Sequence, residues 1–244
     1  MKNTFDALSS SYDAVLTRDL WISGEKAAYF ARYKAERVQK TLGNHFKGRV
    51  LDYGCGIGAV AKSLRSFSGM ERAEIYGYDV SQESINVCRN NVRNVNFLTD
   101  LDDSFQGFFD VIILSNVFHH VHPEKRDDLL QSVLKLLKEN AYLFIFEHNP
   151  LNPLTQWVVK TSPIDKNASL VGAWRMKCLL RRNGVVDFCF RFMVFFPSIF
   201  RMFRFLEPFL GFLPMGAQYM CVARISRKPH LLQNTRVPGG EVKQ

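Results

Sequence analysis

The segment VLDYGCGIGA, residues 50–59, decides the fold of this chain of 244 residues. An apolar run ends at Asp52, and Gly54, Gly56 and Gly58 then follow at alternate positions. Glycines allow a tight turn and a close approach of the backbone to a ligand, and the helix that follows would point its N-terminal N–H groups at that ligand. The stretch from Gly54 to Ala59 also satisfies the dinucleotide pattern G-x-G-x-x-G/A. The glycines therefore predict a ligand-binding turn without deciding the ligand.

Asp52, two residues before the first glycine, separates the two classes of ligand that such a turn binds. A carboxylate at this place would repel a pyrophosphate, whereas it suits a cationic ligand that carries an ammonium and a sulfonium group. The alternative is an aspartate that only satisfies the turn, because aspartate is common in turns.

Apolar runs alternate with amphipathic segments around this turn. The predicted strands are Arg49–Asp52, Glu74–Asp79, Val95–Leu98, Phe109–Ser115 and Ala141–Glu147. The predicted helices between them are Val60–Phe67, Ser84–Arg93 after a Ser81 N-cap, and Glu124–Lys138 with Pro123 in its first turn. This alternation predicts a doubly wound α/β fold with a parallel sheet built from right-handed crossovers.

The flanks of this region have a different pattern. The elements predicted there are helices over Phe5–Leu16, Gly24–Leu42 and Leu170–Arg182, a loop at Asn149–Pro153, strands over Val185–Phe196 and Ala217–Ile225, and an aromatic insertion at about 188–214. We predict an N-terminal helical cap or lid over residues 1–45, one domain over 46–226 and a mobile tail over 227–244.

Composition excludes several classes of protein. With 47% hydrophobic and 23% charged residues, the chain supports a packed core and is not disordered as a whole. Its five cysteines include no C-x-x-C pair, which argues against a disulfide framework and a zinc ribbon. We see no signal peptide and no apolar run of about 18 residues that would span a membrane, so a cytoplasmic location is expected.

The net charge of +9 is concentrated in the last third of the chain, where residues 151–244 contain 14 basic and 4 acidic groups. Such a region could face an anionic substrate, a membrane surface or a nucleic acid, or it could be a solvated basic surface. We disfavour a nucleic-acid partner because no separate nucleic-acid-binding module is visible.

The sequence resembles the class I S-adenosylmethionine-dependent methyltransferases of the small-molecule type. The motif D-x-G-x-G-x-G, Asp52 to Gly58, carries this resemblance, together with Asp79 at the end of the second strand. Ser23–Lys34 and Glu147–Thr155 resemble an uncharacterised bacterial branch of the family, to which we attach no acceptor. The resemblance implies a Rossmann-like, mostly parallel sheet of seven strands in which the last strand is antiparallel, and S-adenosyl-L-methionine as cofactor.

The resemblance also assigns cofactor-binding residues. The implied set is Tyr12 from the cap, Asp52, Gly54, Cys55, Gly56 and Gly58 in the turn, Asp79 and Val80 at the ribose, Asp100 and Leu101 at the adenine, and Ser115, Asn116 and His120 beneath the methionine part. An acidic group at position 79 can accept both ribose hydroxyl protons, as in dinucleotide enzymes. Turn placement explains Asp100 nearly as well.

Four histidines follow the fourth and fifth strands, at the sheet edge where open α/β sheets bind ligands. His119 and His148 are the candidates for a general base that removes a proton from an acceptor hydroxyl. A second interpretation is packing and capping. A third is a metal site, which we disfavour because no carboxylate accompanies His119 and His120 in their segment. No metal is therefore predicted.

Substrate-binding residues are harder to assign. Tyr29 and Tyr33 lie at i and i+4 of the N-terminal helix and could line an acceptor pocket with Asn149, or they could be ordinary helix packing. The aromatic insertion contains ten of the 21 phenylalanines, interrupted by arginines. We expect mostly sheet and core there, with an apolar acceptor pocket or a membrane-touching surface as the alternative.

The predicted function is transfer of a methyl group from S-adenosylmethionine to an oxygen or nitrogen of a small, carrier-linked or lipid-linked acceptor, with peripheral membrane contact as an option. Two alternatives stay open: an NAD-dependent oxidoreductase, because the glycines and Asp79 fit both cofactors, and a cofactor-binding protein without catalysis. The sequence does not determine the oligomeric state.

Overall fold

The computed structural model describes residues 27–162, Asp165 and residues 168–226. The predicted helix Phe5–Leu16, the predicted cofactor residue Tyr12 and the predicted tail from residue 227 lie outside the described residues.

One sheet of seven strands organises the described chain. Its strands are β1 Arg49–Tyr53, β2 Glu74–Tyr78, β3 Asn96–Leu98, β4 Phe109–Ser115, β5 Leu137–His148, β6 Phe188–Met193 and β7 Gln218–Ile225. The strand order is β3-β2-β1-β4-β5-β7-β6. The pairs within β3-β2-β1-β4-β5 are parallel, whereas β7 lies antiparallel between β5 and β6. The predicted fold class is therefore confirmed, including the antiparallel last strand.

Helices cover both faces of the sheet. They are α1 Ala27–Leu42, α2 Ala59–Arg65, α3 Gln82–Asn91, α4 Arg126–Leu136, α5 Pro153–Thr161, α6 Ala173–Arg182 and the short α7 Glu207–Leu210. On one face, α1 and α2 pack against alternate residues of the central strands, among them Val111 and Phe144. On the other face, α4 and α6 pack against the intervening residues, such as Ile112 and Leu143. This arrangement follows from the period-2 alternation of side chains along a strand.

Two predicted boundaries are wrong around the fifth strand. The helix predicted to end at Lys138 ends at Leu136, and the strand predicted to begin at Ala141 begins at Leu137. Leu137 pairs with Phe109, and the register then shifts before Tyr142 pairs with Val111. The β-bulge takes up the polar residues between these pairs, of which Lys138 was predicted to be helical.

The predicted loop at Asn149–Pro153 leads into a helix that the sequence pattern did not predict. Asn152 is the N-cap of α5, because its Oδ1 accepts a hydrogen bond from the Thr155 N–H at 2.9 Å. Pro153 takes the first helical position. Asparagine followed by proline is thus a helix start here and not a loop signal.

The aromatic insertion is mostly not sheet or core, so the expectation from its sequence is wrong. Strand β6 ends at Met193, and Val194 adopts a positive φ of 62° that breaks the predicted run to Phe196. A 3₁₀ segment, Ser198–Leu206, and α7 follow, and most of their large apolar side chains are exposed. Within the described residues, no helix is long and apolar enough to cross a membrane.

Candidate functional site: a cavity at the carboxyl ends of the central strands

The glycine turn joins β1 to α2 in the conformation that its sequence requires. Gly54 and Gly58 have φ values of 74° and 78°, in the left-handed region that favours glycine. The Gly54 and Cys55 N–H groups both donate to the Tyr78 carbonyl, at 2.7 and 2.9 Å, which ties the turn to β2. A Cβ atom at Gly54 would lie 2.8 Å from Val117 Cγ2. The turn therefore needs glycine at this position for both its dihedral angle and its contact with the residues that follow β4.

A cavity of about 740 Å³ opens beside this turn. Its volume is in the range of small-molecule and cofactor sites. The predicted site residues that line it are Asp52, Gly54, Cys55, Ser115, Asn116, His119, His120 and His148. They come from the carboxyl ends of β1, β4 and β5, so the sheet topology brings together residues that are far apart in sequence.

Three buried side-chain oxygens that line the cavity accept no hydrogen bond from any described residue. They are Asp52 Oδ1, Asn116 Oδ1 and Gln218 Oε1. The other oxygen of Asp52 accepts from the Ala61 N–H at 3.2 Å. Because burial disfavours the charged form, the pKa of Asp52 is raised to about 7. Buried acceptors without donors are costly, so this group of oxygens is suited to a ligand that brings N–H donors.

Lys34 brings a buried positive charge to the same cavity. It is only 4% exposed, and its Nζ donates to Ser115 Oγ at 2.9 Å. Burial lowers the pKa of Lys34 to about 8, although the charges of Glu147 and Asp52 counteract this effect. No ion pair joins Lys34 to a carboxylate of a described residue within 4.0 Å. The sequence pattern did not predict this residue. The signal was its place on α1, three residues after Ala31 and four before Val38, both of which are buried.

The residues predicted to bind the ribose and the adenine lie beside the turn rather than in the cavity wall. Asp79 accepts from the Gly56 N–H at 2.8 Å and from the Ser81 N–H at 2.9 Å, so it fixes the turn against the start of α3. Ser81 caps α3, as predicted. Asp100 is exposed, and its Oδ1 accepts from the Leu101 N–H at 2.9 Å. Cofactor binding by Gly56, Gly58, Asp79, Val80, Asp100 and Leu101 stays a prediction.

The histidines form a cluster with two carboxylates that the sequence did not place beside them. His119 Nδ1 lies 2.6 Å from Glu147 Oε2, and Glu147 Oε1 accepts from the Phe118 N–H at 2.7 Å. Asp165 Oδ1 lies 3.4 Å from His119 Nε2 and 3.5 Å from His120 Nε2. The ring of His148 is 5.2 Å from that of His119, centroid to centroid. Glu147 and Asp165 lie 28 and 46 residues from His119 in the sequence, and no local sequence pattern predicts contacts over such separations.

The electrostatics of the cluster give its histidines different protonation states. Burial alone would lower the pKa of His119, but the charge of Glu147 and the hydrogen bond to Asp165 raise it to about 9. Burial and the neighbouring His119 charge lower the pKa of His148 to about 4. Among the described residues, none makes a hydrogen bond to the His148 ring. At neutral pH, His119 is therefore an imidazolium and His148 a neutral base candidate.

The cluster also changes the argument about a metal. Donor atoms of His119, His120 and Asp165 lie within 4.8 Å of one another, a grouping that could hold a divalent ion. The sequence segment of these histidines contains no carboxylate, which was the reason for disfavouring a metal. In the folded structure, Asp165 supplies a carboxylate beside them. The prediction of no metal itself stays a prediction.

The predicted substrate residues lie away from this cavity wall. Tyr33 lines a smaller cavity, where it donates to Glu207 Oε2 at 3.0 Å, and Tyr29 lies under the Arg204 guanidinium at 4.6 Å. Asn149 is buried and donates to the carbonyls of Pro214 and Gly216 at 3.0 and 2.8 Å. These contacts place the three residues in the packing of the aromatic insertion. Their role toward an acceptor stays a prediction.

Comparison with solved structures defines the class of the fold. A structure described as a S-adenosylmethionine-dependent methyltransferase and possible histamine N-methyltransferase, from Thermotoga maritima, superimposes with a TM-score of 0.65. The match covers 93% of this chain and 99% of that chain at 17% identity. The described chain thus has the Rossmann-like fold of these methyltransferases.

Sequence comparisons give the family. The model of the methyltransferase domain matches residues 26–189, so the chain belongs to this family, and the predicted class I resemblance is confirmed. An uncharacterised methyltransferase of Staphylococcus carnosus is 29% identical over 132 residues, 53% of this chain and 61% of that protein. A ribosomal RNA small subunit methyltransferase C of Citrobacter koseri is 36% identical over 90 residues, 35% of this chain and 26% of that protein. The chain thus spans less than two thirds of these relatives.

Proposed function

We propose that this protein transfers a methyl group from S-adenosylmethionine to an oxygen or nitrogen atom of a small or lipid-linked acceptor. One observation carries the proposal: a buried aspartate, one oxygen of which accepts no hydrogen bond from a described residue, and a buried lysine line one cavity beside a glycine turn. The amino-acid part of S-adenosylmethionine has an ammonium and a carboxylate, which match these two charges. When bound, S-adenosylmethionine would supply a methyl group on a sulfonium, whose methyl–sulfur bond breaks readily because the neutral thioether is a good leaving group.

The residues of the cavity fit this zwitterion. Asp52, with Asn116 and Gln218, offers acceptors for an ammonium, and Lys34 with Ser115 offers donors for a carboxylate. Charge-assisted hydrogen bonds of this kind are stronger than neutral ones. A dinucleotide would instead bring a pyrophosphate next to Asp52, which weighs against the oxidoreductase alternative.

The histidine cluster supplies the proton acceptor. Methyl transfer requires the acceptor atom in line with the sulfonium, and an oxygen or nitrogen acceptor also loses a proton. We assign that proton to a ring nitrogen of His148, which is neutral at physiological pH and lines the cavity. His119, held between Glu147 and Asp165, positions the neighbouring rings as a fixed cation.

Two measurements test the proposal. Calorimetry should show binding of S-adenosylhomocysteine and none of NADH. Purified protein with methyl-labelled S-adenosylmethionine should label a component of fractionated metabolites and lipids, which also excludes a protein that only binds the cofactor. Binding of NADH alone would favour the oxidoreductase alternative, and S-adenosylhomocysteine binding without any labelled product would contradict methyl transfer.

A further inference from the structure

The aromatic insertion exposes an unusual amount of apolar surface. Six side chains between residues 199 and 215 are each 69–80% exposed: Ile199, Met202, Phe205, Phe209, Phe212 and Met215. Phe200 and Phe203 are also exposed, and the 3₁₀ segment is interrupted only by a kink at Phe200. All six lie within 17 residues of sequence, and exposed apolar side chains grouped in one segment indicate an interaction site, whereas single exposed apolar residues do not. We call these six residues the aromatic face.

Two charged residues of the same segment, Arg204 and Glu207, make inward contacts that hold the segment in place, whereas Arg201 is exposed. Glu207 is buried and accepts from the N–H groups of Phe195 and Phe196 at 3.1 and 3.3 Å. The Arg204 guanidinium donates to the Phe196 carbonyl and lies over the ring of Tyr29. Asn152 Nδ2 donates to the Met215 carbonyl at 2.7 Å, which anchors the end of the segment to α5. Glu207 and Arg204 therefore hold the segment against the rest of the molecule, and its apolar side chains are exposed.

The exposed charges of the insertion favour one kind of partner. Arg191 and Arg201 are exposed, whereas the acidic residue of the insertion, Glu207, is buried. A two-fold contact with a second copy would bring two basic rims together, which is unfavourable. An anionic lipid surface compensates the arginines and accepts phenylalanine side chains at the boundary of headgroups and acyl chains.

We propose that the aromatic face docks the protein onto an anionic lipid bilayer. The docked segment lies in the plane of the interface, with its phenylalanines in the acyl boundary and Arg201 among the headgroups. The N-cap of α5, Asn152, contacts Met215 of the face. Val158 of α5 and its C-cap Ser162 line the cavity, and Leu154 and Trp157 of α5 are exposed. Access of a lipid-linked acceptor along α5 rests on the proposed function, whereas docking itself does not.

Vesicle sedimentation of the full chain tests this docking. Wild-type protein should bind vesicles of phosphatidylcholine with phosphatidylglycerol and bind pure phosphatidylcholine less. Phe205→Glu should weaken binding by about tenfold or more, because it places a charge in the apolar boundary. Arg201→Gln should weaken it by about fivefold and reduce its dependence on salt. The matched control is Val186→Glu, because Val186 is 76% exposed and precedes β6, whereas the aromatic face follows that strand.

The outcomes separate docking from the proposed function. S-adenosylhomocysteine binding, measured in each variant without vesicles, reports folding and cofactor binding independently of lipids. Absence of wild-type vesicle binding, or equal weakening by Val186→Glu and Phe205→Glu, would overturn the docking proposal. A wild-type dimer in sedimentation equilibrium that Phe205→Glu dissociates would identify a second copy as the occupant instead.

Discussion

The half of the cavity that contains the glycine turn is lined by residues at the ends of predicted strands, whereas the half that contains the histidines also needs carboxylates that no local pattern places there. Asp52, Gly54 and Asn116 follow directly from strand ends, so the pattern of strands and glycines is enough to place them. Glu147 and Asp165 reach His119 from 28 and 46 residues away. A ligand-binding turn can therefore be predicted from the sequence, because its backbone conformation requires glycine. The carboxylates that set the protonation of the histidines can be identified only in the folded structure.

The largest expected effect is on the histidine half. His148→Ala should lower turnover by roughly 10²–10⁴-fold and leave S-adenosylhomocysteine affinity unchanged, because it removes the proton acceptor but no cofactor contact. His122→Ala is the matched control, since His122 is exposed and two residues beyond the cluster. Unchanged single-turnover rates in His148→Ala would leave only a packing role for this residue.

A smaller effect is expected for Asp79, beside the glycine turn. Asp79→Ala should weaken binding of both S-adenosylhomocysteine and 5′-methylthioadenosine by about 1–3 kcal/mol, because both ligands have ribose hydroxyls that would lose their acceptor. Calorimetry with the two ligands checks this. Exposed Asp103→Asn serves as the control. Wild-type affinity for both ligands in Asp79→Ala would remove Asp79 from the site.

Gly54 allows a test of the backbone requirement itself. Gly54→Ala and Gly43→Ala both place a side chain at a positive φ, 74° and 80°, which costs on the order of 1 kcal/mol. Only Gly54→Ala also forces a Cβ to within 2.8 Å of Val117, whereas Gly43 has no atom within 4 Å. Urea unfolding should show a larger loss of stability for Gly54→Ala, by about 1–2 kcal/mol. Equal losses of unfolding free energy in the two variants would show that the Val117 side chain moves aside without destabilising the protein.

The last variant concerns the dependence of stability on pH. The pKa of His119 rises from 6.5 to about 9 on folding, so its contribution to the free energy of unfolding is complete below about 6.5 and is lost as the pH rises through about 9. The pKa of Glu147 is lowered from 4.5, so its contribution is lost as the pH falls below that value. The difference in unfolding free energy between wild type and His119→Gln should shrink as the pH rises from about 6.5 to about 9 and stay constant above that value. A difference independent of pH would contradict the ion pair.

The sequence predicted most of the fold because its signals are local. Strand–helix alternation and the motif from Asp52 to Gly58 determine the central sheet and the turn. The errors arose where one local signal has two meanings: Asn152 and Pro153 mark a loop or a helix start, and phenylalanines after Met193 mark a core or an exposed surface. Lys34 was missed because a lysine on a helix is usually solvated, although its position among buried alanines indicated otherwise.

The proposed cofactor site depends most on the two opposite buried charges of Asp52 and Lys34, and calorimetry of two ligands tests them directly. S-adenosylhomocysteine carries the amino-acid zwitterion, and 5′-methylthioadenosine has the same nucleoside without it. Wild-type protein should prefer the former by roughly 10²-fold or more, and Lys34→Met and Asp52→Asn should each remove about tenfold or more of this preference, unlike the exposed control Lys40→Met. Equal affinity of wild type for the two ligands, or a preference that survives both substitutions, would contradict the central claim.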